Sequence, residues 1–148
     1  MKKTFLKNKK NIQFLIIGLG LIGGSVAKRL SKNGFEILAI EKNKSHLNHA
    51  KKSKILNGGL EKIDSTKKLF VIVALPPKIL LSNFDKYLDL FHKADFVTDC
   101  TSVKGSLLNK IKKNKLESKF ILSHPIAGSE KSGFLNSNED LFKDKISI

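Results

Sequence analysis

Apolar runs and stretches of helical spacing alternate from one end of this chain to the other. Residues 11–17 end in Phe14-Leu15-Ile16-Ile17, suited to a buried strand, and residues 21–33 carry helical spacing as far as the stop signal Asn33-Gly34. The pair recurs as a strand at 35–41 and a lysine-rich helix at 45–56, closed by Asn57-Gly58-Gly59. Residues 69–75 are apolar without interruption, as at the centre of a parallel sheet, until Pro76-Pro77 stops them. Pro77 suits the first turn of a helix running to about Lys93, where Ile79, Leu80, Phe84, Leu88 and Phe91 recur as a core-facing stripe. A strand at 94–100, a helix at 104–116 and a strand at 119–123 follow, then a longer loop. Residues 140–148 read as a turn of helix and the beginning of a strand. Strict alternation of this kind predicts an α/β fold with a Rossmann-type doubly wound, mostly parallel sheet.

The first strand–helix junction, Gly18-Leu19-Gly20-Leu21-Ile22-Gly23, has the G-x-G-x-x-G spacing of a dinucleotide site. Gly18 permits the tight turn, Gly20 lets a pyrophosphate approach the backbone, and Gly23 lets the helix pack closely on the strand. Phosphates would lie on the unpaired N–H groups of the helix start, around Leu21 and Ile22. The second strand ends in Glu41, about 20 residues beyond the glycines, where an acidic side chain binds ribose hydroxyls. Pro76 and Thr101, each close behind a later strand, complete the cofactor-binding candidates. Glu41 repels a 2′-phosphate and favours NAD; Lys42 and Lys44 leave NADP as the alternative. The competing reading is a glycine-rich turn in some other doubly wound protein.

With 148 residues, 41% hydrophobic and 28% charged, the chain has the values of one globular domain. Residues 1–10 read as a basic N-terminal extension and 11–148 as the dinucleotide-binding domain, truncated at its C-terminal end. The extension lacks the apolar segment of a signal peptide, and no run approaches the roughly 20 residues of a membrane span. Cys100 is the single cysteine, so a reducing cytoplasm is the expected compartment. A net charge of +15 raises the possibility of a nucleic-acid partner. Against it, Arg29 is the one arginine and the aromatics sit inside apolar runs, not along a basic stripe. No nucleic-acid partner and no membrane association are therefore expected.

Ligands of such sheets bind outside the carboxyl ends of the strands. The segments there are Pro76-Pro77, Asp99-Cys100-Thr101-Ser102-Val103-Lys104-Gly105 and Ser123-His124-Pro125-Ile126-Ala127-Gly128-Ser129. His124 is the candidate general base, since a neutral imidazole can take a hydroxyl proton while hydride leaves the same carbon. Ser102 is expected at a helix mouth, as an N-cap, a substrate contact or both. Cys100 reads as a buried, inert thiol. Lys104 fits either a helix-start surface position or an anion contact. His46, His49 and His92 lie in lysine-rich helices without metal-ligand spacing and read as surface residues.

Taken together, Gly18-Leu19-Gly20-Leu21-Ile22-Gly23-Gly24-Ser25, Val73-Ala74-Leu75-Pro76, the stretch from Asp99 to Lys104, His124-Pro125-Ile126-Ala127-Gly128-Ser129-Glu130 and Leu141-Phe142-Lys143-Asp144-Lys145 closely resemble the prephenate/arogenate dehydrogenase family of tyrosine biosynthesis. The resemblance implies an oxidoreductase carrying out NAD(P)-dependent oxidative decarboxylation of prephenate or arogenate. It implies that His124 takes the proton of the ring hydroxyl and that Ser102 hydrogen-bonds beside it. It also implies a second, mostly helical domain, absent here, that clamps the substrate and supplies dimer contacts. The chain is thus expected to be the cofactor half of such an enzyme, weakly active or inactive alone, and a homodimer only with that domain present. A non-catalytic dinucleotide-binding module and a related β-hydroxyacid-type dehydrogenase are the alternatives.

Overall fold

The computed structural model of the chain describes residues 5–127 and 130–147. Five strands, β1 (Ile12–Ile17), β2 (Glu36–Ile40), β3 (Lys68–Val73), β4 (Phe96–Asp99) and β5 (Phe120–Leu122), form one sheet in the order β2-β1-β3-β4-β5. Every pairing is parallel, so all five strands end on the same rim. The helices between them are α1 (Leu21–Lys32), α2 (Lys44–Lys52), α3 (Pro77–Asn83), α4 (Leu88–Lys93) and α5 (Gly105–Lys113).

Alternation along the strands divides the interior into two cores. Leu15, Ile17, Val71, Val73 and Val97 face Leu80, Phe84, Phe91, Leu107 and Ile111 of the α3–α5 layer. On the other face, Ile16, Ile37 and Ala39 meet Ala27 of α1, Ala50 of α2 and Phe134 from the loop after β5. That second layer leaves part of the sheet uncovered. Phe14, Phe70 and Phe96 lie in a row with ring centroids 5.4 Å apart, and Ile121 beside them is 57% exposed. Among the described residues, no helix is long and apolar enough to cross a membrane.

Of the differences from the sequence reading, three concern the site and its surroundings. The helix expected over 77–93 is two helices, α3 and α4, separated by a 3-10 turn at Phe84–Tyr87. At the end of α3 the Asn83 side chain donates back to the Ile79 carbonyl at 2.9 Å, a local side-chain bond of the kind found at helix ends. Ile79 lies outside the core stripe and is 44% exposed, whereas Leu80, Phe84 and Phe91 are buried. Helix α2 starts earlier than expected, because Asn43 caps it by accepting from the N–H groups of Ser45 and His46, and ends at Lys52. The strand expected near the C-terminus is a single antiparallel bridge between Pro125 and Ser147, beside an Ile126 N–H to Ile146 carbonyl bond of 2.9 Å.

The segment after β5 is strapped back across α1. Phe134 and Ser137 lie against Gly24, and the Ser25 hydroxyl accepts the Asn138 N–H at 2.9 Å. Lys28 donates to the Ser137 carbonyl at 2.7 Å and lies over the Phe134 ring, while Arg29 and Lys32 pair with Asp140 and Glu139. A methyl group at Gly24 would sit 2.8 Å from both the Phe134 ring and the Ser137 hydroxyl. Gly24→Ala therefore lowers the free energy of unfolding by about 1–3 kcal/mol, overriding the helix preference for alanine. Urea titration checks this; unchanged or increased stability would mean that the strap does not pack there.

Candidate functional site

The turn after β1 has no room for side chains at two of its three motif glycines. Gly18 adopts φ +95°, and a Cβ on it would lie 2.7 Å from the Ala74 carbonyl oxygen. A Cβ on Gly23 would lie 1.9 Å from the Gly18 carbonyl oxygen, so α1 can reach the strand only as glycine. Gly20 is different: it precedes α1 with ordinary φ −77°, and a Cβ there would meet nothing within 4 Å. The fold does not require glycine at position 20. Open space there is what an approaching phosphate needs, and among the described residues no side chain caps the first turn of α1, which leaves its leading N–H groups open to an anion.

Glu41, directly after β2, joins this turn. Its carboxylate accepts from the Leu19 N–H at 2.5 Å and from the Asn43 N–H at 2.7 Å, pinning the end of β2 to the glycine turn. A small cavity of about 90 Å³ opens beside it, lined by Gly18, Glu41, Lys42, Leu75, Ile79, Asn83 and Tyr87, among others. Burial and the Glu41 charge push the Tyr87 phenol above its usual range, which keeps it neutral. Asn83 and Tyr87 follow Ile79 at four-residue spacing but escaped the sequence reading, which took that helix only for its core-facing stripe. Pro76 stands at the start of α3, on the segment against which the glycine turn packs.

The ends of β4 and β5 make the other half of the rim. Asp99 is fully buried, and its Oδ2 accepts from the Thr101 N–H, the Thr101 hydroxyl and the Lys104 ammonium. Thr101 is thus turned toward Asp99. Ser102 does not cap α5: Asp99 shapes the chain just after β4, the helix starts only at Gly105, and Lys104 holds the N-cap position without a side-chain cap. Ser102 is exposed instead, and its hydroxyl makes no hydrogen bond among the described residues. Lys104 proves to be a bridge, 2.6 Å from both Asp99 Oδ2 and the Ser123 carbonyl oxygen.

His124 follows β5 on the same rim, half-buried, with Pro125, Ile126, Ala127 and Lys145 around an open groove of about 420 Å³. Its Nδ1 is buried without a hydrogen-bond partner among the described residues. Lys145 brings a cation to the groove, a placement that depends on the C-terminal bridge and leaves no periodic trace. Gly128 and Ser129 of the His-Pro stretch lie outside the described residues.

The family model for the prephenate dehydrogenase nucleotide-binding domain matches residues 26–148. The chain belongs to that family. That match starts inside α1, beyond the glycine turn. Prephenate dehydrogenase of Lactococcus lactis is 33% identical over 140 residues, which cover 89% of this chain and 39% of that enzyme. Among solved structures, Synechocystis arogenate dehydrogenase superposes with a TM-score of 0.76 at 27% identity, covering 91% of this chain and 48% of the other. Prephenate dehydrogenase of Aquifex aeolicus, solved with hydroxyphenyl propionate and NAD+, gives 0.72 at 29% identity, covering 91% and 49%. The chain thus spans two-fifths to half the length of these relatives.

Cys100 lies among these groups, and burial, then the Asp99 carboxylate, push its thiol up to about 11 against the opposing charge of Lys104. At pH 8 roughly a thousandth of it is thiolate. Iodoacetamide at pH 8 should therefore alkylate the folded chain at least about 100-fold more slowly than the urea-unfolded chain, the rate rising with pH toward 11. Equal rates in the two states would show an accessible, ordinary thiol.

Proposed function

We propose that this chain is the cofactor-binding part of a prephenate or arogenate dehydrogenase, an enzyme of tyrosine biosynthesis, and that it binds NAD. The observation that carries the reading is Gly20, a glycine that internal packing does not demand, at the uncapped start of α1. The diphosphate would rest on the N–H groups around Leu21 and Ile22, and Glu41 would take the adenosine ribose hydroxyls. That carboxylate faces the turn and disfavours a 2′-phosphate, although Lys42 lines the same cavity. When bound, the nicotinamide supplies the acceptor for a hydride.

The remaining work falls to the chain's own groups. The His124 imidazole takes the proton of the ring hydroxyl as hydride departs, and the Ser102 hydroxyl, unengaged among the described residues, is available to hydrogen-bond the same oxygen. Loss of the ring carboxylate as CO₂ then sends its electron pair through the ring to that oxygen, which takes the proton back from His124, and the aromatic ring so formed drives the reaction. Lys145 puts a positive charge beside the groove, as an anionic substrate requires.

Two measurements test this. Gly20→Ala should fold with wild-type stability yet bind NAD at least about 10-fold more weakly by calorimetry, because the methyl occupies the diphosphate's approach. Undiminished affinity would remove the dinucleotide from the glycine turn. His124→Asn should leave NAD affinity intact and slow NADH formation from prephenate or arogenate by about 10²- to 10⁴-fold, with the chain complemented by the remaining half of a relative. A variant as fast as wild type would exclude His124 as the base.

A further inference from the structure

Between the ends of β4 and β5 lies a hydrogen-bonded group that the proposed chemistry does not use. The Lys104 ammonium bridges Asp99 Oδ2 and the carbonyl of Ser123, each at 2.6 Å. That carbonyl belongs to the peptide whose nitrogen is His124's own. The Ser123 hydroxyl donates to the Asp99 carbonyl at 2.7 Å and lies 2.9 Å from the Thr98 hydroxyl, which in turn donates to the Ile121 carbonyl at 2.7 Å. The β4–β5 ladder ends at the pair Asp99 and Leu122, so these side chains continue the join past the last strand residues. The Asp99 carboxylate is fully buried and the Lys104 side chain is 27% exposed.

An ion pair taken out of water is a poor source of stability, because desolvation offsets most of the attraction. What it does supply is direction: a carboxylate anchored by Thr101 aims the ammonium at one carbonyl. We propose that Lys104 and Asp99 are positioning residues that hold the Ser123–His124 peptide, and through it the imidazole, at the rim facing the cofactor. The proposal rests on the reading of His124 as the base. It also assigns Lys104 away from substrate binding, since its charge is engaged inside the protein. A misplacement of about 1 Å at such a group is enough to cost 10²-fold in rate, so a tether on the preceding peptide matters.

The test is the imidazole itself, read by NMR in the full chain carrying ¹³C-labelled histidine, where the four histidines serve as mutual controls. In wild type, His124 should give one sharp Cε1–H signal that moves on saturation with NAD. Lys104→Met should displace and broaden or split that signal while those of His46, His49 and His92 stay in place, with NAD affinity within about twofold of wild type. Lys104→Arg, whose fork can span the carboxylate and the carbonyl, should restore a single signal. A wild-type His124 signal in Lys104→Met would overturn the proposal. So would collapse of all four signals in both Lys104→Met and Lys104→Gln, which would mark the pair as merely structural. If NAD binds wild type without moving the His124 signal, the reading of His124 as the base fails, independently of the tether.

Discussion

The turn after β1 crosses the segment after β3 with no space left between them, and the site is built outward from that contact. Gly18 lies against the Ala74 backbone and Gly23 against Gly18, so α1 starts immediately beyond the sheet and aims its open N-terminus along the rim. Glu41 then bonds the Leu19 N–H, tying the next strand to the same turn. These contacts lie where the chain switches from building the sheet on one side of β1 to building it on the other. A ligand crevice at such a point follows from the topology, because neighbouring connections part there.

The parallel arrangement carries the rim on to His124, since every strand ends on the same side. Its far end is kept in place by two sets of long-range bonds. Lys104, held by Asp99, donates to the carbonyl of the peptide before His124, and the strap from Phe134 to Asp140 fastens the chain beyond it to α1, the helix whose start would hold the diphosphate. One helix thus bears on both ends of the proposed site. Gly24 and Ser25 have a structural account on the same terms: one makes room for the strap and the other accepts a hydrogen bond from it. The single arginine is also part of this clasp, paired with Asp140 at 3.0 Å.

The order of strands and helices was legible in the sequence because buried parallel strands are near-continuous apolar runs and the helices between them keep a 3.6-residue period. The glycine turn and the rim position of His124 were legible for the same reason, since both abut such runs. What was missed depends on contacts with no periodic signature. The 3-10 turn at Phe84–Tyr87 divides a stretch that keeps helical spacing on both sides, and no spacing rule marks it. Ser102 looked like a cap until Asp99 turned the chain ahead of it. Phe134 sits in a polar stretch yet is buried against α1 more than 100 residues earlier in the chain, and the Lys104–Ser123 bond joins two loops. Local pattern reads elements well and the fastenings between them poorly.

The central claim is that one dinucleotide laid on the glycine turn reaches His124. A crystal structure of the chain with NAD tests it most directly. The diphosphate should lie on the N–H groups at the start of α1, the adenosine ribose on Glu41, and the nicotinamide beside His124 and Ser102. A dinucleotide bound elsewhere, or one held at the glycines with its nicotinamide turned away from His124, would contradict the account.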